Sequence, residues 1–225
     1  MKHTQKGFTL VEIAIVLVII GLLLGGILKG QEMITQAKIK NAIADFSGVS
    51  AAYFGYQDRY RAIPGDDLLA TRWTTPTAAV PGDGNRVLTG LYGSTNDAHE
   101  SRLWWDHLRR SGFVSGAGMA QPQNAFNGIL GVTTGDGTAI VGAAPGIPGP
   151  VLPAAAGGFT NLILCSSNLP DKVAIALDVQ MDDGLPTAGA VRSAVAGVVD
   201  IAANPAAAAA YVETGANTYT LCRQF

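Results

Sequence analysis

The chain has 225 residues, 14% of them charged, and a formal net charge of −2. That length suits one membrane segment and one globular domain of ordinary size. The near-neutral balance leaves no basic footprint for nucleic acid. A short polar and basic stretch, Met1–Gly7 (MKHTQKG), runs into an apolar segment, Phe8–Leu28, whose one charge is Glu12. As a helix this segment reaches roughly 30 Å, the hydrocarbon thickness of a bilayer. A carboxylate near its start costs about 2.5–3.5 kcal/mol even on the lenient insertion scale, so Glu12 asks for a partner. Lys2 and Lys6, with no acid before Glu12, predict a cytoplasmic N-terminus by the positive-inside rule, with the rest of the chain expected across the membrane.

The stretch KGFTLVEIAIVLVIIGLLLGG resembles the N-terminus of a prepilin, the precursor of a type IV pilin or a type II secretion pseudopilin. Gly7, Phe8, Thr9, Leu10, Glu12 and Gly21 carry the likeness, which covers about the first 30 residues. It implies that a prepilin peptidase cuts between Gly7 and Phe8 and methylates the new amine of Phe8. It implies an α+β fold, with a long N-terminal helix packed on a small antiparallel sheet. It also implies a mature chain that leaves the inner membrane through an ATP-driven assembly platform. Its N-terminal helix then joins other pilins in a periplasmic or extracellular filament, with membrane lipid as the environment before assembly. The corresponding divisions are a leader (1–7), a filament-core helix (8–28), its amphipathic continuation (29–60) and a globular head (61–225).

The chemistry of the first mature turn fits. After cleavage Phe8 carries an α-ammonium four residues from Glu12, and a helix N-terminus favours a negative side chain. Between subunits, the ammonium of an incoming chain meets the Glu12 carboxylate of one already in place. Each charge then relieves the other's desolvation, which an unpaired charge would bear alone. A protonated or snorkelling acid is the bland alternative. An ordinary secretory signal is cut after its apolar core; here Gly7 precedes the core, so the helix is kept. The alternative function is a periplasmic binding or enzymatic domain on a signal anchor, which needs neither Gly7–Phe8 nor Glu12.

Further along, many pilins carry a proline where this chain has Lys29, while Gly25, Gly26 and Gly30 cluster here. Glycine costs about 1 kcal/mol in a helix interior, so the cluster implies local give or close helix packing. Ile39, Ala42, Phe46, Val49, Tyr53, Tyr56 and Tyr60 recur at spacings of three and four, one face of a helix that Pro64 and Gly65 end. IPGDD (63–67) and TTPTAAVPGDGN (74–85) read as turns, with Trp73 anchoring the loop. A short amphipathic helix is expected from about Ala98 to Ser111, capped by Asn96 or Asp97 and stopped by Gly112. A Pro/Gly tract (143–158) reads as surface loop. Phe159–Cys165 reads as a strand ending at the cysteine. Pro170–Met181 has both helical and alternating spacing; Pro170 and Asp171 favour a helix, stopped at Asp182-Asp183-Gly184. Asn204-Pro205 opens one short helical turn, and Thr218–Cys222 is a last strand.

The two cysteines, Cys165 and Cys222, form an even pair in an exported domain and read as one disulfide. Asp178, Asp182 and Asp183 raise a calcium site, since hard oxygens on a tight turn are what Ca²⁺ takes. The resemblance adds that some pseudopilins bind calcium near their C-terminal end. Asp-Gly is above all a turn former, so the expectation is no cofactor, with Ca²⁺ as the alternative. The PGDD and PGDGN turns give the same weak signal. His99 and His107 read as solvated surface, and Trp104-Trp105 as one core residue and one edge residue. No HExxH, GxSxG, Walker or CxxC spacing appears. No enzyme is expected.

Overall fold

A computed structural model describes residues 9–135, 159, 161–195 and 210–225. Two compact units divide the chain, Met1–Lys40 and Asn41–Phe225. One helix, α1 (Leu10–Tyr60), runs through the boundary between them. Its run of Leu, Ile, Val and Ala from residue 10 to residue 28 holds no proline, and nothing interrupts the backbone ladder. It ends where Arg61 turns left-handed (φ 56°) while its N–H still bonds the Gln57 carbonyl at 2.8 Å. That is a left-handed cap, a position that usually takes glycine.

In the second unit, Ala42, Phe46, Val49, Tyr53 and Tyr56 of α1 are buried and Tyr60 is half-buried. The three-and-four spacing therefore marks a core face, as the sequence predicts. After α1 come a 3-10 turn (Ala70–Arg72), α2 (Glu100–Arg110), β1 (Leu130–Thr134), β2 (Leu162–Pro170), α3 (Asp171–Met181), β3 (Val191–Val195) and β4 (Thr218–Gln224). The strands form one antiparallel sheet in the order β1-β2-β4-β3. The expected α+β class is what the structure has. α2 packs on β1, and α3 packs on β2, β3 and β4.

The register puts Cys165 of β2 directly opposite Cys222 of β4, and a disulfide joins them across 57 residues of sequence. Beside this pair, Tyr92, Phe159 and Ile163 form a buried cluster.

Several local expectations are corrected. β2 does not end at Cys165 but continues to Pro170, with an irregularity between Ser166 and Leu169 where Asn168 takes φ 57°. α2 is capped by the backbone of His99 and not by Asn96 or Asp97; Asn96 instead accepts from the Ala98 N–H, and Asp97 pairs with Arg102. Trp104 and Trp105 are both fully buried, edge-on at 4.8 Å. Neither is therefore an edge residue. β1 and β3 were not expected at all. Met1–Phe8, the Pro/Gly tract and Asn204-Pro205 lie outside the described residues.

Candidate functional site

Among the described residues three places gather chemistry-bearing groups: the start of α1, the loops around α2 and the turn after α3. At the first, Thr9 is the N-cap of α1. Its backbone N–H donates to Glu12 Oε2 at 2.8 Å, and the Glu12 N–H donates to Thr9 Oγ1 at 3.3 Å. The Thr9 hydroxyl also donates to Glu12 Oε2 at 2.8 Å. This is a reciprocal capping box, which satisfies two of the helix's orphan donors. The T-x-x-E spacing was visible in the sequence and was missed. Gly7 and Phe8 lie outside the described residues. Among the described residues no cation reaches Glu12.

From Thr9 to Lys29 every residue is exposed, with Leu10 at 90% and Leu22 at 74%. This stretch contains a window long and apolar enough to cross a membrane. A Cβ added at Gly21, Gly25, Gly26 or Gly30 would meet nothing within 4 Å. None of these glycines is required by the fold of the protomer, although each weakens the helix by about 1 kcal/mol. They fall as two Gly-x-x-x-Gly pairs.

The second place is organised by acids that hold loops. Asp66 accepts the N–H groups of Gly84 and Arg86; Glu100 accepts those of Asp83 and Thr89, at 3.0 and 2.9 Å. Ligand oxygens of Asp66, Asp83 and Glu100 lie within 4.8 Å of one another. Burial pushes the Asp66 carboxyl up, against the pull of its two N–H donors, and the Glu100 charge adds to the rise. Gly65 (φ 85°) lies against α2, where a Cβ would come 2.4 Å from the Glu100 carbonyl. Only glycine fits that turn.

Beside it, Asp67 accepts from the Tyr56 hydroxyl at 2.6 Å and pairs with Arg72 at 3.0 Å. His107 is fully buried, which corrects its placement at the surface. Its Nδ1 accepts from the Gly65 N–H at 2.9 Å, so its Nε2 carries the hydrogen and donates to the Val80 carbonyl at 2.8 Å. Burial holds its pKa below the ordinary histidine value. The imidazole thus ties two loops to α2. His99 is half-buried and bonds Ser94 Oγ through Nδ1 at 2.7 Å. No carboxylate orients this pair among the described residues, so it lacks the third member of a nucleophilic triad.

Asp178, Asp182 and Asp183 also converge within 4.8 Å. Asp178 is buried and accepts from Tyr211 and from the Gly184 N–H; Asp182 accepts the Val191 N–H and Asp183 the Leu185 N–H. Burial raises the Asp178 carboxyl. The turn occupies part of each carboxylate and leaves Asp182 and Asp183 exposed. At the other end of α3, burial opposes the charge of Asp171, yet N–H donors from Gly215, Lys172 and Thr214 outweigh it and keep the carboxyl low.

Residues 2–28 match the family model described as the prokaryotic N-terminal methylation motif. No curated protein and no solved structure matches the chain.

Proposed function

We propose, from the premise that residues 2–28 carry the type IV pilin and pseudopilin signature, that the mature chain is a structural subunit of a type IV pilus or type II secretion pseudopilus. A prepilin peptidase removes Met1–Gly7 and methylates Phe8, and assembly runs through Phe8 and Glu12. The single observation that carries this reading is the matched motif on a helix whose apolar first part buries nothing within its own chain. Before assembly the inner membrane covers that surface, with the N-terminus cytoplasmic and the head periplasmic. Afterwards the helices of neighbouring subunits cover it.

Glu12 then has two duties. Within the protomer it closes the capping box with Thr9. Between protomers its carboxylate receives the ammonium of an adjoining Phe8, a register device because only the right axial offset neutralises both charges. The Gly-x-x-x-Gly pairs supply close approach between helices, which explains glycines the protomer does not need. The work is assembly and not turnover. Mass spectrometry of the mature chain tests it: the expected product lacks Met1–Gly7 and carries one methyl on Phe8, and Gly7→Leu blocks that processing. An intact N-terminus would overturn the reading.

A further inference from the structure

An Asn-Gly or Asp-Gly pair is a chemical weak point in a chain. The glycine nitrogen, with no side chain beside it, attacks the side-chain carbonyl carbon of the residue before it. For asparagine the new N–C bond closes a succinimide ring and ammonia leaves; water then opens the ring to aspartate or isoaspartate. For aspartate water leaves and returns, and the product is the same. In both cases the glycine nitrogen must give up its hydrogen and reach the preceding side chain.

Three such pairs lie among the described residues: Asp83-Gly84, Asn127-Gly128 and Asp183-Gly184. In each, the glycine N–H donates to a buried side-chain oxygen of another residue. Gly84 donates to Asp66, Gly128 to Asn124 at 2.8 Å, and Gly184 to Asp178 at 3.3 Å. Each of these nitrogens is thus engaged by a group that is not its own electrophile.

Asn127-Gly128 is the most tightly held. Asn127 is exposed at φ 59°, a region that asparagine tolerates better than most residues. Gly128 is buried, and a Cβ on it would collide with the Ser167 carbonyl oxygen. Glycine is therefore required after Asn127, and the turn cannot avoid a labile pair. Asn124 holds both sides of the Gly128 residue. Its Oδ1 accepts the Gly128 N–H at 2.8 Å and the Phe126 N–H at 2.9 Å, and its own N–H donates to the Gly128 carbonyl at 2.9 Å. Its Nδ2 donates to Ser166 Oγ at 2.9 Å and to the Ser167 carbonyl at 2.7 Å, both on β2. Two lone pairs and two N–H groups are all used, so the amide of Asn124 is fixed in place.

We propose that Asn127 is a latent deamidation site, kept closed by Asn124. Attack proceeds only from an opened turn, so its rate follows the population of that open state. The chemistry lies within one chain and stands whether or not the chain assembles.

The test follows the full folded chain in detergent at mildly alkaline pH, by peptide mass mapping at Asn127 with isoaspartate as the diagnostic product. The folded parent is expected to convert at least about tenfold more slowly than the same chain unfolded in guanidinium, and its Gly128 N–H to exchange slowly with solvent. Asn124→Ala removes the acceptor and is expected to bring the folded chain to within about threefold of the unfolded rate. Ser166→Ala removes one anchor of Asn124 and keeps the acceptor; Gly128 exchange and Asn127 conversion are expected to rise together. An intact Cys165–Cys222 bond and cooperative unfolding show that a variant is folded, and Ser166→Ala decides the case if Asn124→Ala is not. A folded parent that converts at the unfolded rate overturns the proposal. So does a folded Asn124→Ala chain that converts at the parental rate, or a rise in Gly128 exchange in Ser166→Ala with no rise in conversion.

Discussion

Glu12 in the first unit and Asp66, Glu100 and Asp171 in the second are all carboxylates that accept backbone N–H bonds. The three in the head are buried and hold segments distant in sequence; Glu12 is exposed and closes only its own first turn. These three head carboxylates are thus used internally, tying loops together, while Glu12 stays exposed beside its own cap. The apolar side chains divide in the same way. In the head they close on Trp104, Trp105, Ile163 and Leu164, and from Leu10 to Leu28 they face outward. A folded head and an unsatisfied helix are what a subunit needs if it must be stable alone and incomplete alone.

The sharpest way to break this contrast is to separate the two duties of Glu12. Glu12→Gln keeps the capping box, since an amide oxygen also accepts the Thr9 N–H, but it removes the charge. Glu12→Ala removes both. If charge pairing governs assembly, both variants insert in the membrane and both lose filaments, by about tenfold or more in sheared fractions. Parental yield from Glu12→Gln would reduce Glu12 to a helix cap.

On the head side, opening the disulfide comes next. Cys165→Ser with Cys222→Ser is expected to cost up to about 4 kcal/mol of head stability, the chain-entropy value for a loop of this size. Denaturant unfolding measures it, and leader cleavage stays unchanged. A loss that reached cleavage would mean the two units are not independent in this respect.

A smaller effect follows from His107. In the folded head burial holds its pKa below the unfolded value of about 6.5. As pH falls below about 6.5 the unfolded chain takes up a proton that the folded head resists, so stability falls with pH in that window. Protonated Nδ1 also turns a donor toward the Gly65 N–H. Glutamine can accept from Gly65 and donate to Val80 without titrating, so His107→Gln should flatten the slope of Tm between pH 7 and 5. Asp66 and Asp178, raised by burial, act with opposite sign at lower pH and are common to both proteins. An unchanged slope would remove His107 from the account.

The smallest effect is expected from calcium. The turn's own N–H donors already engage Asp178, Asp182 and Asp183. Millimolar Ca²⁺ should therefore shift the head Tm by about 1 °C or less. A larger shift, reversed by a chelator and lost in Asp178→Asn, would establish a metal site there.

Much of this organisation was legible in the chain itself. α1 carries its apolar spacing and stop signals in plain order, α3 was decided for a helix by Pro170 and Asp171 rather than by spacing, and the cysteine pair needed only an even count in an exported domain. What escaped reading was set by distant contacts. β3 (VRSAV) has an arginine and a serine in its five residues, and it is a strand because β4 lies beside it. β1 (LGVTT) has Gly131 as its second residue, whose missing side chain admits the Tyr92 backbone. His107 looked solvated because its partners, Gly65 and Val80, lie 42 and 27 residues away. The capping box at Thr9 was the exception: it is local, and an apolar segment of membrane length drew attention from its first turn.

The strand order also sets a timetable. β4, the last strand in the chain order, lies between β2 and β3, and β3 pairs with no other strand among the described residues. The sheet therefore cannot close during synthesis of the earlier strands. Its final ladder must wait until Thr218–Gln224 has been synthesised. Until then the half-made sheet stays open, and any truncation before Thr218 would leave β3 stranded even though its own residues were untouched.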